Sequence, residues 1–90
     1  MLESEVERHF MWAVARVGGV SFKFASPSNR GVADRVACFP NGATWFVELK
    51  TTGGRLAPLQ KMFAMSMKSL NQNYACLWTK AQIDEWVLTV

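Results

Sequence analysis

Two carboxylates and a lysine stand at spacings that could hydrolyse a phosphodiester: Asp34, then thirteen residues, then Glu48-Leu49-Lys50. Along an extended strand side chains alternate faces, so Glu48 and Lys50 point one way and Leu49 the other. Whether Asp34 joins them depends on the turn between. Pro40-Asn41-Gly42 suits a three-residue hairpin loop, with Pro40 opening a type I turn and Gly42 in the left-handed bulge position. Phe39 then pairs with Ala43, and counting back sets Asp34 opposite Glu48. A two-residue Asn-Gly loop would shift the register by one and separate the acids. The three-residue loop is the reading adopted, because it gathers both acids and the lysine.

Two carboxylates within about 4–6 Å disfavour joint ionisation, so such a pair needs a neutralising partner. Lys50 offers part of the charge and a divalent cation offers more. Oxygen ligands without His or Cys point to Mg²⁺ or Mn²⁺. A cation held by Asp34, Glu48 and the Leu49 carbonyl would activate water and neutralise phosphate charge, while Lys50 orients the nucleophile or stabilises the transition state. The bland alternative is a buried salt bridge of Lys50 with either acid. A bare E-x-K is usually that; an acid after a Gly-bearing loop, opposed to E-x-K on one hairpin, is more specific.

The elements that must position these residues follow from the pattern. Glu3 to Val17 reads as an amphipathic helix with Val6, Phe10, Ala13, Val14 and Val17 on one stripe, ended by Gly18-Gly19. Val20 to Ala25 reads as a first strand, and 26–31 as a loop that brings Arg30 near the acids. The hairpin arms run from Asp34 to Phe39 and from Ala43 to Lys50. The second arm is apolar on both faces, which predicts a sheet covered on both sides. Pro58 opens a second helix to about Leu70, with Leu59, Met62, Phe63, Ser66 and Leu70 on one face and Gln60 in its first turn. Tyr74 to Trp78 is a fourth strand. Thr79-Lys80-Ala81-Gln82 is a capping box opening a last helix, with Ile83, Trp86 and Val87 facing inward. The order is αβββαβα.

Ninety residues make one domain, 1–90, near the small end for burying a core alone. Half of the residues are hydrophobic, including four Trp and six Phe. That richness suggests apolar surface buried against a second copy, with Trp12, Trp45, Trp78 and Trp86 as candidates. A net charge of +3 permits nucleic-acid binding without demanding it. Cys38 and Cys76 read as buried free thiols of a reducing compartment. The sequence has no signal peptide and no membrane-length apolar run, so a cytoplasmic protein without a membrane partner is expected.

Gly31-Val32-Ala33-Asp34, Phe46-Val47-Glu48-Leu49-Lys50 and Leu59-Gln60 resemble the virus-type replication-repair nuclease (VRR-NUC) domain of the PD-(D/E)xK superfamily. Lys23-Phe24-Ala25-Ser26-Pro27 and Gly53-Gly54-Arg55-Leu56 extend the likeness over nearly the whole chain. The resemblance implies a restriction-endonuclease-like αβββαβα core: an α/β fold with a small mixed sheet flanked by helices. It makes Asp34 and Glu48 metal ligands, Lys50 the catalytic lysine and Gln60 a supporting residue. It adds a helical acid, Glu7 or Glu3. Glu7 is preferred, because Phe10, Met11 and Val14 follow it at the spacing that docks a helix on a sheet; favourable interaction with the helix dipole is the alternative account of either acid. Ala33 stands where the family has proline, which predicts a looser approach to the site.

The resemblance further implies a phage-type, homodimeric, Mg²⁺- or Mn²⁺-dependent endonuclease acting on branched DNA, including four-way (Holliday) junctions, in the host cytoplasm. Arg8, Arg16, Lys23, Arg35 and Lys68 are possible phosphate contacts; Arg30, Arg55 and Lys61 are the favoured ones, and they read shape rather than sequence. The rivals are the same chemistry on flap, nicked or duplex DNA, and a non-catalytic DNA-binding module with the same fold.

Overall fold

The loop Pro40-Asn41-Gly42 organises the sheet. In the computed structural model, which describes residues 3–90 (the side chain of Glu3 excepted), Phe39 N–H donates to the Ala43 carbonyl at 2.9 Å and Gly42 N–H to the Phe39 carbonyl at 3.0 Å. Asn41 Oδ1 accepts from the Ala43 N–H at 2.9 Å, and Gly42 takes φ +87°. The three-residue loop is therefore the one formed. It joins β2 (Arg35–Cys38) to β3 (Thr44–Leu49), with Arg35 opposite Val47 and Ala37 opposite Trp45.

The other elements are α1 (Glu3–Arg16), β1 (Val20–Lys23), α2 (Pro58–Ser69), β4 (Asn73–Leu77) and α3 (Lys80–Val87). The strands lie in the order β1-β2-β3-β4; the first two pairings are antiparallel, and β4 runs parallel to β3 after the α2 crossover. This is the anticipated small mixed sheet in αβββαβα order. α3 starts as read: the Thr79 side chain accepts from the Gln82 N–H at 3.1 Å. The Gln82 side chain instead takes the Trp78 N–H, at 2.7 Å.

Alternation along the strands gives the sheet two unlike faces. The back face sends Ala37, Phe39, Val47, Leu49 and Leu77 into one core with Val6, Phe10, Ala13 and Val14 of α1 and Ile83 and Trp86 of α3. Phe10, Phe39 and Trp45 all meet the Trp86 ring at centroid distances of 5.5–5.8 Å. The front face is covered by α2 alone, through a thinner cluster in which Phe63 meets Phe24, Phe46 and Tyr74.

Several expectations are corrected by this asymmetry. Among the described residues α2 buries no side chain fully, and Leu59, Met62 and Leu70 are exposed, because one short helix cannot roof four strands. Cys38 is exposed and not buried: it points to the front at the turn end of the hairpin, beyond the reach of α2, as does the exposed Thr44. Met11 is exposed although Phe10 and Val14 are buried, and Val17 lies past the helix end, also exposed. Ala33, at the entry to β2, is buried. Among the described residues no helix is long and apolar enough to cross a membrane.

Candidate active site

Continuing the β2–β3 register one step past Arg35 and Val47 sets Asp34 opposite Glu48, both on the front face. Opposed residues of an antiparallel pair hold their Cβ atoms about 4.5–5.5 Å apart. Asp34 is fixed from across the hairpin: its Oδ2 accepts the Leu49 N–H at 2.9 Å. Glu48 is 2% exposed, and its Oε2 faces Lys50 Nζ at 3.9 Å and Gln60 Nε2 at 3.2 Å. A carboxylate this deep persists as an ion only where donors replace lost water.

Gln60 owes its position to the start of α2. Its Oε1 accepts the Ala57 N–H at 2.8 Å, leaving Nε2 to reach back to Glu48. One side chain thus caps the helix and fixes a carboxylate. Asp34, Glu48, Lys50 and Gln60, gathered from two strands and a helix, form one cluster.

Glu7 is placed differently. Its Oε2 lies 3.7 Å from Nη1 of Arg35 on the back side of β2. Arg35 is 4% exposed and also donates to the Ser21 hydroxyl at 3.0 Å. Arg35 is therefore withdrawn from the possible phosphate contacts: alternation puts it under α1, and Glu7 offsets its charge. The rival acid Glu3 has its side chain outside the described residues. Arg30, Arg55 and Lys61 are all exposed. Lys61 neighbours Gln60 on α2, and the loop carrying Arg55 is tied down where Trp78 Nε1 donates to the Gly54 carbonyl at 3.2 Å.

Sequence reasoning missed two neighbours. Cys76 pairs with Glu48 across the parallel β3–β4 ladder, so a thiol does stand beside the acids. Burial, then the Glu48 charge, pushes it up to about 11, with Lys50 opposing the rise. Burial likewise pushes the Tyr74 hydroxyl well above its ordinary range, with Cys76, Glu48 and Asp34 adding to it. The cross-strand row of Cys76, Glu48 and Asp34 is completed by Phe24, whose N–H donates to the Asp34 carbonyl at 2.9 Å. No local signal could have placed Cys76 there, because the order of a crossover strand in the sheet is a tertiary fact.

The donor set fits a hard divalent cation. Two adjacent carboxylates and a main-chain carbonyl at the strand end offer oxygen. Among the described residues no three His, Cys, Asp or Glu side chains converge as a metal-holding group. An ion here would complete its shell with solvent or substrate oxygen, as Mg²⁺ commonly does.

Three antiparallel strands, a helical crossover to a parallel fourth and acids at the open end of the central hairpin define an α/β nuclease fold. More particularly it is the fold of a VRR-NUC domain. A solved structure described as "VRR_NUC domain" superposes with a TM-score of 0.90 over 96% of this chain and 94% of that one, at 22% identity. The resemblance drawn from the motifs is thus borne out. In sequence, the chain is 43% identical over 58 residues to "Putative nuclease p44" of the Acyrthosiphon pisum secondary endosymbiont phage 1; the match covers 64% of this chain and 62% of that protein. No family model matches the chain.

Proposed function

We propose that the protein is a metal-dependent DNA endonuclease of the VRR-NUC type that acts on branched DNA. The observation that carries this reading is the cluster itself: a buried Glu48 opposite Asp34, with Lys50 and Gln60 both directed at one Glu48 oxygen. A module needing only the fold gains nothing from burying that carboxylate, because a buried ion costs several kcal/mol before its partners offset it.

In this reading Asp34, Glu48 and the Leu49 carbonyl hold Mg²⁺ or Mn²⁺. The bound ion supplies Lewis acidity and a lowered pKa for its water. The protein supplies the geometry. Leu49 N–H keeps one Asp34 oxygen engaged and so orients the other, and Gln60 keeps Glu48 from turning away. Lys50, beside Glu48 and partly open to solvent, orients the attacking water or meets the charge that builds on the phosphate. Glu7 supports the site from behind by compensating Arg35, the residue next to Asp34. Arg30, Arg55 and Lys61 hold the DNA backbone. The enzyme works in the cytoplasm, and as a homodimer it matches the two-fold symmetry of a four-way junction.

Cleavage of an end-labelled four-way junction tests this, with linear duplex and single strands as controls, in Mg²⁺, Mn²⁺ or chelator, beside Lys50→Ala. Paired symmetric incisions, lost with chelator and in the variant, are the expected result. Equal cutting of every substrate would keep the chemistry and remove the junction preference. Binding without incision under any metal would replace the enzyme with a DNA-binding module.

A further inference from the structure

The front of the sheet carries a groove that the catalytic cluster does not use. It encloses about 520 Å³ between the loop after β1 and the open side of α2, lined by Phe24, Leu59, Met62 and Phe63, with Asn29 and Arg30 at its polar edge. Its distance from the acids is fixed by the backbone. Phe24 is the cross-strand neighbour of Asp34, joined by the 2.9 Å bond to the Asp34 carbonyl, and both side chains take the front face. At the other wall Leu59 immediately precedes Gln60. Gly31 clamps the two walls together: at φ +87° its missing Cβ would fall 2.5 Å from the Leu59 carbonyl carbon and oxygen.

The lining is wrong for a phosphate track, which needs rows of Lys and Arg. Rings and thioether on one side, with a single guanidinium at the edge, match a flat aromatic heterocycle carrying an anionic tether. We propose that this groove receives one unstacked nucleobase of the strand being cut, from the nucleotide flanking the scissile phosphate, with Arg30 on an adjoining phosphate. The inference rests on the nuclease reading and narrows its substrate. A base reaches the groove only by leaving its stack, at a cost of about a few kcal/mol in duplex and less where pairing is already broken. The preferred DNA is therefore a duplex with an unpaired or easily unpaired base at the cut, as at a branch point or flap. The competing occupant is a second copy of the chain, since Leu59 and Met62 are 46% and 61% exposed.

The test places an abasic nucleotide on either side of the mapped cut and compares wild type with Ser66→Trp, which fills the groove from an exposed position on α2. On the wild type, loss of the base on one side slows cleavage about tenfold, the effect of about 1.4 kcal/mol and within the range of one base–aromatic stack. Ser66→Trp cuts the intact strand about tenfold more slowly and no longer senses the missing base, while its melting midpoint and sedimentation match the wild type. If the intact strand is cut and neither abasic position matters, the base site is overturned and the nuclease stands. If Ser66→Trp changes the oligomeric state, the groove is an interface between copies and the proposal fails. If no DNA is cut at all, the nuclease reading fails and takes this one with it.

Discussion

At Glu48 two side chains share one oxygen, and each partner has a separate duty. Gln60 is bonded on both sides, to Glu48 and to the first turn of α2, so Gln60→Ala removes two hydrogen bonds, one of them to a charge. A stability loss of about 1–3 kcal/mol by urea denaturation is expected, with slower single-turnover cleavage. Lys50 is partly open to solvent, and Lys50→Ala lowers the cleavage rate at least about a hundredfold, the usual scale for one electrostatic stabiliser. The two thiols give a test independent of DNA. Thiolate is the reactive form, so a thiol pushed up to about 11 is almost wholly protonated at pH 8. Iodoacetamide at pH 8 should label Cys38, which is exposed, and spare Cys76 in the folded protein. Labelling of Cys76 should then increase as the pH is raised towards 11. Mass spectrometry of the peptides reads the order directly; equal labelling of both at pH 8 would contradict the placement of Cys76 beside Glu48.

At the scale of elements, two glycines share one backbone angle and differ in surroundings. Gly42 and Gly31 both have φ +87°, but around Gly42 a Cβ would meet nothing within 4 Å, whereas at Gly31 it would strike the Leu59 backbone. Gly42→Ala therefore carries only the left-handed penalty of about 1–2 kcal/mol. Gly31→Ala adds a backbone clash, and should lie more than about 1 kcal/mol below Gly42→Ala in denaturation and also impair cleavage, because the loop and α2 both adjoin the catalytic row. Equal losses would mean that the loop does not need α2. The same contrast explains what could be read in advance. The hairpin was legible because its register is set by three consecutive loop residues, and with it came the opposition of Asp34 and Glu48. Gln60 could be placed close to the hairpin end from its position in the first turn of α2, but its supporting role came only from the resemblance. That Glu7 meets Arg35 could not be read in advance, because helical spacing shows which side of a helix is apolar, and not which charge of the sheet will face it. The exposure of Leu59 and Met62 was hidden for a related reason. An amphipathic stripe records that a face is apolar but not how much sheet lies beneath it.

Across the whole molecule the sheet separates two unlike surfaces. The front, under α2, bears the acids and an open groove; the back is closed by α1 and α3, and beyond them lies a second apolar surface. Trp12 is 51% and Leu88 83% exposed, and with Val17 and Val87 they line a depression of about 350 Å³ between α1 and α3. Trp86 lies in the core, Trp45 packs against it and Trp78 is tied to Gly54, whereas Trp12, flanked by His9 and Arg16, is the most exposed of the four tryptophans. A standard interface takes about 800 Å² per partner, roughly a seventh of this chain's 5758 Å². A dimer built on the back surface leaves both front faces free for DNA, whereas one built on α2 would cover the groove beside the acids. Trp12→Asp should therefore shift sedimentation towards the monomer without disturbing the cluster around Glu48. Its effect on DNA follows from symmetry. On a plasmid with an extruded cruciform, a dimer cuts two strands within one encounter and yields linear product. A monomer cuts one strand, and the nicked plasmid loses the supercoiling that held the cruciform out. The variant should thus convert linear product into nicked circles while cutting a flap at close to the wild-type rate. If Trp12→Asp sediments and linearises like the wild type, the back surface is not the interface. Loss of flap cutting as well would mean that the dimer is needed to complete each site, and that the division of labour between the two faces is wrong.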